Sequence, residues 1–145
     1  MYFINHEQIN ERIQFLGTLS GVCRELMEQW SKADLQNALV LHMSQERVLH
    51  LAIETVTDIG SLLIDAFILR DASSYEDIVE IVHGEGAYSE SLTATLLELV
   101  KLRKPLVQEF VDYPREGLHP LISSLPAAFN EFGASVEAFI KKELA

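Results

Sequence analysis

The side chains able to do chemistry are few, and they fall in four places. His42, Glu46, His50 and Glu54 recur at intervals of four, so on a helix they lie near one face. Two such ligands one turn apart are a sound start for a zinc site, but the histidines are eight apart and no second group of Cys or His completes the set. They are read as a polar face or hydrogen-bonded histidines, and no metal is assigned. Glu80 and His83 form a single Glu-x-x-His, a spacing that di-iron bundles use twice with two further glutamates. Here it stands beside Gly84, at a helix end whose carbonyls favour an imidazole in any case. Cys23 has only the adjacent Arg24 to activate it and no partner base, so it reads as a core thiol. Neither a nucleophile elbow nor a glycine-rich phosphate loop is present. The fourth place is Lys101, Arg103 and Lys104, the densest basic cluster in the chain and suited to a phosphate-bearing ligand. A solvated basic turn near a helix end is its plain alternative.

Composition sets the frame around these residues. The chain has 145 residues, 48% of them hydrophobic, and 22 acidic against 11 basic side chains, for a formal net charge of -11. That length predicts one domain over residues 1–145. The most apolar stretch, Leu62 to Leu69, already contains Asp65, so no membrane span is expected. Met1 to Arg12 lacks a basic region followed by an apolar one, and a lone cysteine fits a reducing compartment. The expectation is a soluble cytoplasmic protein without a cofactor. An acidic chain repels nucleic acid, yet the charge is unevenly spread. Residues 1–100 carry 16 acids and 5 bases, whereas residues 101–145 carry 6 of each. The basic exception opens that neutral C-terminal part.

The elements that must position these groups are helical nearly throughout. Asn5 and Gln8 resemble a capping box, and Ile9, Ile13, Leu16, Leu19, Leu26 and Trp30 then mark a first helix of about 25 residues, broken at Ser31 to Asp34. A second segment from Asp34 to Leu69 carries Leu49, Ala52, Val56, Ile59, Leu63 and Ala66 on one stripe, with a break expected near Met43–Ser44 or a bend at Gly60. A short helix starts at the capping Ser74 and stops at Gly84. A leucine-rich helix starts near Ser89 and should kink or end at Pro105. A last one follows Gly117 and bends at Pro126. Long segments with short connections predict an all-α, antiparallel up-and-down bundle of four main helices plus one short helix. Apolar residues flanking the second stripe, Leu51, Leu62 and Leu69 on one side and Ile53 and Ile64 on the other, predict a helix-helix homodimer.

The run Leu99-Val-Lys-Leu-Arg-Lys-Pro-Leu-Val-Gln-Glu-Phe110 is the informative one. Arg103 and Gln108 are five apart, with Phe110 two further on. This resembles the HEPN superfamily and its HepT-like branch, whose motif is Arg, four residues, His, one residue, Tyr. Leu-Ile-Asp-Ala-Phe at 63–67, Ser-Tyr-Glu-Asp-Ile at 74–78 and Leu-Pro at 125–126 extend the resemblance over nearly the whole chain, toward the YutE-like members. It implies an all-helical homodimer of HEPN type. The active members are metal-independent ribonuclease toxins paired with a nucleotidyltransferase antitoxin, with one motif from each subunit meeting in a shared cleft. Their histidine moves the proton of a ribose hydroxyl or leaving oxygen, their arginine stabilises phosphate charge, and their tyrosine receives the silencing adenylate.

Carried over, the catalytic positions are Arg103 and Gln108, the phosphate-binding positions Lys101, Arg103 and Lys104, and the tyrosine position Phe110. Only the arginine is kept. A glutamine amide does not titrate near neutrality, and a lost general acid-base costs roughly 10²–10⁴ in rate. Phe110 has no hydroxyl to receive adenylate. The leading expectation is therefore a non-catalytic, dimeric binding or regulatory protein of toxin–antitoxin descent, weakly attracted to RNA, with a nucleotidyltransferase as a candidate partner. The rivals are a ribonuclease whose base lies outside the motif, His119 being the nearest histidine in sequence, and a purely structural dimerisation module.

Overall fold

The computed structural model describes residues 2–32 and 38–145, and every regular element among them is helical. The helices are α1 (His6–Lys32), α2 (Ala38–Ala66), α3 (Tyr75–Gly84), α4 (Glu90–Val100), α5 (Arg103–Val107) and α6 (Pro120–Leu144), with a short 3-10 turn at Phe110–Asp112. This is the expected all-α bundle of four main helices and short α3, with α5 added. α2 is its axis: α1, α3, α4 and α5 pack on it, and α6 closes against α1 and α4. Leu49, Ile53, Ile59 and Leu63 of α2 meet Leu16, Leu96, Leu99 and Phe132 in one fully buried core. Among the described residues no helix is long and apolar enough to cross a membrane.

The local signals act as their chemistry requires. Asn5 Oδ1 accepts the Gln8 N–H at 3.1 Å and starts α1. Ser74 Oγ accepts the Asp77 N–H at 3.0 Å and caps α3, while Ser89 Oγ does the same for Leu92 at 3.1 Å in α4. Gly60 lets α3 approach α2 closely: a Cβ there would lie 2.5 Å from Ile78 Cγ2.

Other expectations are corrected. α2 runs without a break at Met43–Ser44, although both residues are exposed, and stays helical through Gly60. It stops at Ala66 rather than Leu69, since Ile68 adopts φ 55° and the Leu69 N–H turns back to the Ile64 carbonyl. α4 ends at Val100, ahead of Pro105; the Leu102 N–H bonds to Leu99, and Pro105 sits in the first turn of α5, where its missing N–H costs nothing. By contrast, the last helix carries Pro126 inside it as expected. Ile53 and Ile64, offered as dimer-facing, are buried within the chain's own core. The expected entry to the second helix at Asp34 and Leu35 lies outside the described residues.

Candidate functional site

The start of α5 places Arg103 where α2 and α3 meet. Its guanidinium carbon lies 4.2 Å from the Tyr75 ring centroid, and its Nε lies 3.6 Å from Glu54 Oε1. That same oxygen lies 3.6 Å from His50 Nε2, and the Tyr75 hydroxyl donates to both carboxylate oxygens at 3.4 Å. One turn back along α2, Arg47 Nη1 stands 3.4 Å from His50 Nδ1. These contacts are all longer than the ~2.7–3.2 Å of a well-made hydrogen bond. Arg103 Nε is buried and has no hydrogen-bond partner among the described residues. The cation is fixed by stacking on an aromatic face, an arrangement worth about 0.5–2 kcal/mol, and its counter-ion is only loosely engaged.

Beside this cluster lies a recess of about 240 Å³, walled by Ser74, Tyr75 and Glu76 at the start of α3 and by Lys101, Arg103 and Lys104 across from them. The fold thus brings the three sequence-predicted cations to one cavity. Gln108 and Phe110 do not line it: both are exposed, Gln108 at the end of α5 and Phe110 in the 3-10 turn. Tyr113, the next tyrosine after the motif, is buried, and burial pushes its phenol above the ordinary range.

A second polar junction forms on the other side of the α4–α5 turn. His42 Nδ1 donates to the Ala38 carbonyl at 2.6 Å, and its Nε2 accepts the Gly117 N–H at 2.9 Å. Gln45 donates to the Gly117 carbonyl at 3.2 Å and accepts the His119 N–H at 2.7 Å. Glu46 takes a two-pronged bond from Arg115 at 2.8 and 2.9 Å. His119 caps α6 by accepting the Leu121 N–H on Nδ1 at 3.0 Å, and burial lowers its pKa. The histidine nearest the motif in sequence is therefore a helix cap, lining a different cavity with Gln45 and Tyr113.

The remaining candidates find partners within the chain. His42, Glu46, His50 and Glu54 divide into two pairs, the first serving this junction and the second facing Arg103. His83 turns from Glu80 to Glu90, with Nε2 3.1 Å from its carboxylate and Nδ1 3.0 Å from the Tyr88 carbonyl and the Thr93 hydroxyl. Cys23 is fully buried, and burial pushes its thiol up to about 11. The site residues that sequence reasoning did not assign are His50, Glu54 and Tyr75. Their signals were present as the four-residue spacing on α2 and the tyrosine following Ser74.

The all-helical bundle, with Arg103 opening the short helix after the leucine-rich α4, is consistent with a protein of the HEPN class. The chain belongs to the HepT-like family, whose model, described as Ribonuclease HepT-like, matches residues 16–115. Along its length it is similar to "Putative RNase YutE" of Bacillus subtilis (strain 168), at 30% identity over 144 residues, covering 99% of this chain and 95% of that one. The solved structure of YutE, described as a cytosolic protein of unknown function, matches with a TM-score of 0.81 at 27% identity, covering 99% and 96% of the two chains.

Proposed function

We propose that this HepT-like chain is a single-domain, cytoplasmic, non-catalytic protein that binds the phosphate groups of an RNA-type ligand through Lys101, Arg103 and Lys104. One observation carries the reading: the three cations share one recess with a pre-positioned guanidinium, while the other motif positions hold an amide and a phenyl ring pointing elsewhere. Positioned cations hold a phosphate without any proton transfer. Purified protein incubated with total RNA at modest salt is expected to retain a short oligoribonucleotide and leave the RNA intact. Cleavage abolished by Arg103→Ala would overturn the non-catalytic reading.

The ribonuclease reading draws on His50 rather than His119, because His50 meets Glu54 beside Arg103. It requires cleavage that His50→Asn removes. The homodimer is supported by an exposed apolar groove of about 680 Å³ between α1 and α2, lined by Phe15, Val22, Val40, Met43 and Leu51. Light scattering on the eluting protein should give twice the chain mass of 16.3 kDa. A nucleotidyltransferase partner remains part of this reading as a protein held without adenylate transfer, since Phe110 offers no acceptor and Tyr113 is buried.

A further inference from the structure

We propose that Glu54, which stands beside the recess as the loose counter-ion of Arg103, gives up that cation to an entering phosphate, and that His50 takes up a proton as the exchange occurs. The proposal rests on the phosphate-binding reading above and adds to it a pH-dependent regulation of the same site.

The geometry supports the exchange in three ways. Glu54 Oε1 is shared among Arg103 at 3.6 Å, His50 at 3.6 Å and the Tyr75 hydroxyl at 3.4 Å, so no single bond anchors it. The built carboxylate pairs of this molecule are much tighter, with Arg115–Glu46 at 2.8 Å and Arg70–Asp77 at 2.7 Å. Arg103 also lines the recess, while its buried Nε, on the Glu54 side, makes no hydrogen bond among the described residues. The guanidinium fork matches a phosphate as well as it matches a carboxylate, so the two anions compete for one cation.

Once phosphate occupies Arg103, the Glu54 carboxylate stands beside a like charge and must move or be neutralised. His50 lies one turn back on the same helix and already approaches that carboxylate. A charged imidazole there converts the shared contact into a private ion pair. On its other side, Arg47 Nη1 stands 3.4 Å from His50 Nδ1. The other charged or titratable groups meeting the cluster are Tyr75 from α3, Arg103 from α5, and Glu76, Lys101 and Lys104 around the recess. α1 brings Arg12, which is paired with Asp58 farther along α2. α4 meets the core through buried Leu92, Leu96 and Leu99, and its Glu98 is exposed. Ligand binding and proton uptake are then linked, so each favours the other.

The test uses two probes whose own charge is constant between pH 6 and 8: a short unphosphorylated oligoribonucleotide, and sulfate as a free oxyanion. Uptake of one proton corresponds to an affinity gain of up to about tenfold per pH unit. Between pH 7.5 and 6.0 the wild-type protein is expected to bind roughly tenfold more tightly. Calorimetry in two buffers of different ionisation enthalpy should show close to one proton taken up. His50→Gln should abolish the uptake and flatten the pH dependence, and Glu54→Gln should bind more tightly at pH 7.5 with little slope. Tighter binding of the oligoribonucleotide than of sulfate assigns the site to nucleic acid, and the reverse assigns it to a free oxyanion; the coupling holds in both cases. Binding with the same slope in wild type and His50→Gln, or weakened binding in Glu54→Gln, overturns the coupling and leaves the binding reading standing. Failure of wild type and Glu54→Gln to bind either probe at either pH overturns both.

Discussion

Two polar junctions tie α2 to the C-terminal half of the chain, and they are built to different standards. At one, His42, Gln45 and Glu46 grip residues 115–119 with bonds of 2.7 to 3.2 Å, and both ring nitrogens of His42 and both ends of the Gln45 amide are used. At the other, two turns along α2, His50 and Glu54 face Arg103 at 3.6 Å, and Arg103 Nε is buried without a hydrogen-bond partner among the described residues. A buried polar group left unsatisfied is costly, and a fold that satisfies one junction so fully had the means to satisfy the other. The first junction holds the fold. The second leaves Arg103 loosely paired.

That contrast can be broken in several ways. The largest effect expected is on stability, from Gln45→Ala, which strips partners from the Gly117 carbonyl and the His119 N–H. A loss of about 2–3 kcal/mol is expected by urea denaturation, with RNA retention unchanged where the protein is still folded. A loss of retention equal to that of an Arg103 variant would mean that the two junctions act as one.

A smaller effect comes from acid. Burial lowers the His119 pKa below its unfolded value, so the unfolded chain binds the proton more readily. The stability this contributes is present above the ordinary histidine value of about 6.5 and is lost as pH falls through the lowered folded value. His119→Asn keeps a capping side chain but does not titrate, so it should flatten the dependence between pH 7.5 and 5.5. An unchanged slope would remove His119 from the account.

The smallest effects belong to the motif positions outside the recess. Gln108→Ala and Phe110→Leu should each change stability by less than about 0.5 kcal/mol and leave oligoribonucleotide binding unaltered, because both side chains are exposed. A tenfold binding loss in either would restore them to the site.

Much of this was legible in the chain. Asn5, Ser74 and Gly84 mark helix ends because capping chemistry is local, and the basic trio stands out by density alone. Pro105 misled as a helix breaker because its effect depends on its place in a turn, and the turn at Lys101–Leu102 moved it to a harmless position. The unbroken course of α2 was hidden because the burial of His42, Gln45, Val48 and Leu49 around exposed Ser44, and the close approach of α3 at Gly60, outweigh weak local signals. His50, Glu54 and Tyr75 were visible as residues but not as a site. They reach Arg103 only through the crossing of α2, α3 and α5, which no local spacing records.

The most direct test makes the same substitution at each junction, since Arg103 and Arg115 both pair with a glutamate of α2. Oligoribonucleotide affinity at fixed low salt and the unfolding midpoint are measured for Arg103→Ala and Arg115→Ala side by side. Arg103→Ala is expected to weaken binding by about tenfold or more with little change in midpoint, while Arg115→Ala lowers the midpoint and leaves affinity intact. Equal affinities in wild type and Arg103→Ala, or a binding loss confined to Arg115→Ala, would contradict this expectation.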